Sequence, residues 1–405
     1  MKYIILIGDG MADERKDFPE GKTPLVLAKK PNLDRLATRG VFGTVRTVPQ
    51  GMPPGSDVAN MSILGYDPAV YYTGRAPIEA AGSGLELADD ETAFRCNLVT
   101  LREESGQLIM DDYSAGHITD KEAGELIQAL NENLKRDGLA FYSGVAYRNL
   151  CLIRNFDKNV NVRPPHDFMD QLVKENQPQG QGAKDVMALV QASQKILAEH
   201  PVNAKRRAQG KKPANSIWLW GQGKRPSIPT LKDRAGVQGV VISGVDLVRG
   251  LGKLAGLDII RVPGATAWID TNYEGKVKAA LDALKDQDFV YLHVEAPDEA
   301  SHAGDQDLKI KAIELFDERV VGPMLDGLMN FNEFKLLTMP DHYTPLKTRS
   351  HSDTPVPFSF VTRKDMTGKP QKNSAFIEHD AEAGGIKVEK GSGLLDRYFF
   401  SGASG

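Results

Sequence analysis

The sequence predicts an α/β fold: a doubly wound, mostly parallel sheet built from both ends of the chain, with an α+β domain inserted between them. Three observations predict it. Short continuous apolar runs at residues 3–7, 240–243, 289–294 and 334–339 each end abruptly in a polar loop, the pattern of parallel strands buried on both faces. Helical spacing fills the stretches between the later runs, as a crossover-connected sheet requires. The middle of the chain loses that alternation, and 405 residues exceed what one hydrophobic core normally serves, so two domains are expected.

Taken in order, residues 3–7 form a first strand that empties into the tight turn Gly8-Asp9-Gly10. Residues 31–40 read as a helix, with Leu33 and Leu36 at i,i+3 spacing and Gly40 as its stop. Residues 92–101, 138–147 and 150–155 read as strands of the inserted domain. The Gln/Gly/Pro stretch 177–182 and the Lys/Arg-rich stretch 202–216 read as surface loops on either side of an amphipathic helix at 183–197. Strands then resume at 240–243, 289–294 and 334–339, with helices at 276–284 and 308–321. This grammar sets the core at 1–87 with 229–405, and the insertion at 88–228.

Composition excludes several classes of function. A net charge of -4 leaves no basic surplus for nucleic acid or anionic lipid, and the run Lys205, Arg206, Arg207, Lys211, Lys212 has no interleaved aromatics, so it reads as a solvated loop. Cys96 and Cys151 have no paired spacing and read as reduced core thiols. The apolar opening is too short for a signal segment and no long apolar span follows, so a soluble cytoplasmic protein acting on a small polar ligand is expected. The sequence does not set an oligomeric state.

Ligands of open parallel sheets gather at the carboxyl ends of the strands. Here those ends deliver Asp9, then Asp298 and His302, then Asp341 and His342, with His351 close behind. Asp298 and His302 are four apart and share one face of any helix that starts there. Adjacent Asp341 and His342 point in different directions, so one strand end is able to serve two cations. Mixed Asp and His ligation suits manganese, zinc or magnesium better than calcium. The nucleophile such a centre needs is Ser56, which follows the turn Met52-Pro53-Pro54-Gly55 and opens a helix whose N-H groups favour an anion, although the same sequence also fits an ordinary helix cap. His293, mid-strand, reads as a satisfied core histidine. Asp9 within Gly8-Asp9-Gly10 argues against a dinucleotide fingerprint, and Gly250-Leu251-Gly252-Lys253-Leu254 lacks the spacing of a Walker loop.

With these residues, the segments IGDGMAD, MPPGSDVANMSILGYDP, YTGRAPIEAAGSG, HVEAPDEASHAGD, PDHYTP and SHSDTPVPF make the chain resemble the alkaline phosphatase superfamily, and within it the archaeal type of bisphosphoglycerate-independent phosphoglycerate mutase. The resemblance spans almost the whole chain. It implies an alkaline-phosphatase-like core in which Asp298, His302 and His351 hold one metal while Asp9, Asp341, His342 and Ser56 hold the other. It further implies two divalent ions, manganese foremost with magnesium, zinc or cobalt as alternatives, and no bisphosphoglycerate. Ser56 then takes the phosphoryl group from 3-phosphoglycerate as a phosphoserine and returns it to the other hydroxyl, while the inserted domain retains the glycerate. His117, Arg148, His166 and Arg225 are the basic or imidazole residues of that domain suited to the substrate's anionic groups. Rival readings keep the site and change the reaction, to a homoserine kinase-like activity, a phosphopentomutase or a phosphatase, or keep the fold as a silent binding module.

Overall fold

The computed structural model describes residues 1–400, and the chain divides into two compact units, residues 1–72 with those from Ser227 onward, and residues 73–226. Thirteen strands occur among the described residues: β1 (Lys2–Gly8), β2 (Val41–Val45), β3 (Glu91–Glu104), β4 (Gln107–Asp112), β5 (Leu139–Val145), β6 (Arg148–Arg154), β7 (Ser216–Gly223), β8 (Gly239–Ile242), β9 (Asp258–Ile259), β10 (Phe289–Val294), β11 (Phe334–Met339), β12 (Val356–Thr362) and β13 (Lys387–Val388).

The first unit holds an eight-stranded sheet in the order β13-β2-β12-β11-β1-β10-β8-β9. Strands β11, β1, β10, β8 and β9 run parallel, and β12 reverses direction against β11. Ile4 to Ile7 of β1 are fully buried, which is why the run shows no polar alternation: both faces are covered, so every side chain must be apolar. The register then matters for function. Ile7 lies opposite His293 on one side and Met339 on the other, so the three central strands end at one level and deliver their following loops to one edge. The helix Pro31–Arg39 buries Leu33, Leu36 and Ala37, as its i,i+3 spacing predicts. Residues 308–321 form a helix as expected, but Gln306–Phe316 passes into a π-helical turn at Asp317–Val321, where the buried Asp317 carboxylate accepts from the Asn32 and Leu33 backbone N-H groups. Among the described residues no helix is long and apolar enough to cross a membrane.

The second unit is a five-stranded sheet, ordered β4-β3-β6-β5 with β7 also paired to β3. Its core gathers Phe94, Phe141, Phe168 and Trp218 with the two cysteines, both buried and free. Where the strand grammar set the insertion at 88–228, the helix Arg75–Ser83 packs on β3 and β7, so this compact unit begins at residue 73. One expectation fails. Residues 202–216 are not a surface loop: Pro201–Ala208 is a helix, β7 begins at Ser216, and Asn203 and Arg206 are buried. Proline at the first helical position starts a helix rather than breaking one. Within the run read as solvated, Arg206 turns inward to Glu122 at 2.7 Å and donates to the Ala115 carbonyl at 2.6 Å, so it anchors the turn before the helix Asp120–Asn133.

Candidate active site

The loop after β1 is shaped by Gly10, at φ 63°, whose N-H donates to Asp341 Oδ1 at 3.3 Å. A Cβ on Gly10 would come within 2.5 Å of Thr344 Oγ1 and 2.9 Å of Asp298 Oδ1, so the glycine is required by both conformation and space. After β10, the helix Ala296–Ala303 begins on Ala296-Pro297, and the four-residue spacing sets Asp298 Oδ2 3.1 Å from His302 Nε2. His351 Nε2 lies 3.1 Å from His302 Nε2 and 3.5 Å from Asp298 Oδ1. Each pairwise separation is of the size found between ligands of one ion, with His302 and His351 approaching different oxygens of Asp298.

A second set converges beside the first. His342 Nε2 lies 3.5 Å from Asp9 Oδ1, 3.4 Å from Asp341 Oδ2 and 3.1 Å from Ser56 Oγ. Ser56 is the first residue of the helix Ser56–Ile63 and is buried rather than held at a surface turn. Asn60, one turn on, locks it: its Nδ2 donates to the Ser56 carbonyl at 2.8 Å and to Asp341 Oδ2 at 2.7 Å, while Tyr291 donates from below to Asn60 Oδ1. Asp341 and His342, expected to point apart, both reach this second set. Asp341 Oδ1 accepts the His342 N-H at 2.9 Å, which folds the strand end back on itself. His342 also faces the first set, since its ligand atom lies within 4.8 Å of those of Asp298 and His351.

The electrostatics fit cations. Asp9, Glu295, Asp298 and Asp341 crowd one strand edge, and burial, then Asp341, Glu295 and Asp298, push the Asp9 carboxyl well above the usual carboxylate range. Burial and Asp298 raise Glu295 to about 8. Asp298 itself is held well below its ordinary value, because bonds from His302 and His351 outweigh its burial. Burial lowers His342 and His293 to about 4, leaving both imidazoles neutral. Asp9 Oδ1 is buried with no hydrogen-bond partner, and it is the oxygen that faces His342 Nε2 at 3.5 Å. A buried carboxyl oxygen left without a partner is costly, and a cation bound there would relieve that cost.

All six expected metal ligands and Ser56 therefore come together. Four residues of this site were missed by sequence reasoning. His293 is buried with both ring nitrogens engaged, as expected of a core histidine, yet Nε2 contacts Asp9 Oδ2 at 2.9 Å and Nδ1 contacts Ser243 Oγ at 3.2 Å. Glu295 Oε2 stands 3.5 Å from the same His293 nitrogen. Asn60 and Thr344 complete the group. Strand register was the signal that could have found His293, since it sits one residue before the carboxyl end of β10 and beside Ile7.

Of the four residues named for substrate, all in the second unit, two are linked. The His166 ring packs 5.4 Å from Trp220 and 5.9 Å from Tyr113, Tyr113 packs 5.5 Å from Tyr147, and the Arg148 guanidinium lies 5.4 Å over Tyr147. His117, at φ 50°, and Arg225 are exposed and lie outside this row.

Residues 37–203 match the family model described as 2,3-bisphosphoglycerate-independent phosphoglycerate mutase. The protein of that name from Methanothrix thermoacetophila is 50% identical over 396 residues, covering 98% of this chain and 98% of its own length. Among solved structures, the PH0037 protein from Pyrococcus horikoshii is similar with a TM-score of 0.81 at 30% identity, covering 98% of this chain and 96% of its own. The cofactor-independent phosphoglycerate mutase from Thermoplasma acidophilum gives a TM-score of 0.64 at 26% identity, with both chains fully covered.

Proposed function

The chain belongs to the 2,3-bisphosphoglycerate-independent phosphoglycerate mutases, and on that premise we propose that it interconverts 3-phosphoglycerate and 2-phosphoglycerate through a phosphoserine on Ser56, with two divalent cations bound, manganese foremost. The observation that carries this is the position of Ser56 Oγ 3.1 Å from His342 Nε2, a nitrogen that Asp9 Oδ1 and Asp341 Oδ2 also approach within 3.5 Å. A serine that only opened its helix would have no reason to meet an imidazole that two buried carboxylates also approach. Asp298, His302 and His351 would hold one cation, and Asp9, Asp341, His342 and Ser56 the other.

Bound there, the cations supply charge neutralisation for the transferring phosphoryl group and favour the ionised serine. The rest falls to the chain. Ser56 Oγ forms the new P–O bond as the bond to the substrate's 3-oxygen breaks, and that oxygen takes up a proton. In the second half the 2-hydroxyl loses its proton and attacks the phosphoserine, restoring Ser56. The start of the helix Ser56–Ile63 directs N-H groups at the phosphoryl oxygens, and Asn60 fixes the serine's backbone against Asp341. Burial of Ser56, Asp9, Asp341 and His342 limits water that would hydrolyse the phosphoserine. His302 and His351, partly exposed, lie on the solvent side.

Arg148 and His166 are the residues of the second unit we assign to the substrate's anionic groups, on the Arg148 charge, the His166 ring's capacity to donate, and their shared aromatic row. Their loss should raise KM more than it lowers kcat. The test of the intermediate is direct: incubation with 3-phosphoglycerate and manganese, an acid quench and peptide mapping should find phosphate on Ser56. A quenched enzyme that turns over yet carries phosphate on no serine would overturn this reading.

A further inference from the structure

We infer that Thr344 is a positioning residue that ties the two cation sites together and fixes His342 in the tautomer able to ligate; this rests on the dimetal reading above. Thr344 belongs to neither proposed ligand set. Its hydroxyl is fully buried between them, 2.6 Å from Asp298 Oδ1 and 3.2 Å from His342 Nδ1.

A hydroxyl has one hydrogen to give. The short contact to an ionised carboxylate, an acceptor only, claims it: Thr344 O-H donates to Asp298. The contact to His342 is then satisfied only if Nδ1 carries the proton and donates to Thr344 Oγ1. A neutral imidazole has one N-H, so Nε2 is left with its lone pair, directed at Ser56 Oγ, Asp9 Oδ1 and Asp341 Oδ2. The chain of donation runs one way, from His342 through Thr344 to Asp298, and links a ligand of one site with a ligand of the other. Outer partners of this kind orient metal-bound imidazoles and are worth about 10–100-fold in metal affinity.

Two further features hold Thr344 for this task. Buried Lys309 donates to the Thr344 carbonyl at 2.9 Å and to the Ala12 carbonyl at 3.2 Å, clamping the loop that bears His342 to the loop that bears Asp9. Gly10, lacking a Cβ, leaves free the volume that the Thr344 hydroxyl and Asp298 carboxylate occupy.

The experiment compares the full-length wild type, Thr344→Ser and Thr344→Val by manganese titration calorimetry, thermal melting and nitrogen-15 histidine NMR of the chelated protein. The inference predicts His342 protonated at Nδ1 in the metal-free wild type, manganese affinity at least about tenfold weaker at both sites in Thr344→Val, and recovery in Thr344→Ser. Thr344→Val that binds manganese as the wild type does, with only a lower Tm, overturns it and leaves the dimetal reading standing. A wild type that binds no manganese overturns both. Should Thr344→Val fail to fold, the wild-type tautomer decides: His342 protonated at Nε2 contradicts the inference.

Discussion

Ser56 Oγ and His342 Nε2 lie 3.1 Å apart although 286 residues separate them in the chain. The first opens a helix after β2, the second lies in the loop that follows β11, and both reach the same edge of one sheet. Gly55, not Ser56, is the cap residue of that helix, so the Ser56 hydroxyl is not spent on capping, and its contact with His342 governs the first prediction. Ser56→Ala removes the oxygen proposed to bond phosphorus and little else, so activity and phosphoenzyme should vanish while the melting temperature stays close to wild type. Measuring both on one preparation checks it; residual turnover above about one part in a thousand would point to a different nucleophile.

The two ligand sets should empty separately. Asp298→Asn weakens the set with His302 and His351, and Asp9→Asn the set with Asp341, His342 and Ser56. Each variant should retain one tightly bound manganese per chain where the wild type retains two, by elemental analysis after gel filtration. Loss of both ions from either variant would show that the sets do not act as two sites.

His293 has no place among the proposed ligands but contacts Asp9 Oδ2 at 2.9 Å. His293→Leu leaves that buried oxygen without its partner, which costs about 1–3 kcal/mol in a buried setting. Manganese affinity should fall about 10–100-fold, the range for lost outer partners. His293→Gln, which keeps a donor, should recover part of it. An unchanged affinity in His293→Leu would return the histidine to a packing role.

Lys276 gives a pH test. Burial lowers its pKa from 10.5 to about 8, with Glu295 partly opposing, and its Nζ donates to the His293 carbonyl at 3.1 Å. Below about 8 it is charged in both folded and unfolded states, so the folded chain bears the full cost of burying that charge. Between about 8 and 10.5 the unfolded chain still holds the proton and the folded chain has released it, so this group's contribution to stability rises with pH. Lys276→Met should lack that rise: its Tm relative to wild type should decline as pH goes from 7.5 to 10. A difference that stays flat would contradict a depressed lysine.

Much of this was legible in the sequence, for identifiable reasons. Apolar runs such as residues 4–7 predict their strand because burial on both faces disfavours polar residues, and Asp298 with His302 announce themselves because a helix turns four residues into one face. The helix Pro201–Ala208 was misread because Pro201 and a dense basic run imitate a loop, while the burial of Arg206 depends on Glu122, some eighty residues away. Asn60 and Thr344 were invisible for the same reason. Neither is unusual in its local sequence, and each acquires its role only from partners brought by other strands: Asp341 for Asn60, Asp298 for Thr344.

Ser56 is proposed to carry phosphate between two positions of one glycerate. The most direct test of that role supplies 3-phosphoglycerate and manganese, without bisphosphoglycerate, and follows 2-phosphoglycerate through enolase, beside a homoserine plus ATP assay. The wild type should form 2-phosphoglycerate and Ser56→Ala none. Turnover confined to homoserine and ATP, or equal formation of 2-phosphoglycerate by Ser56→Ala, would contradict that role.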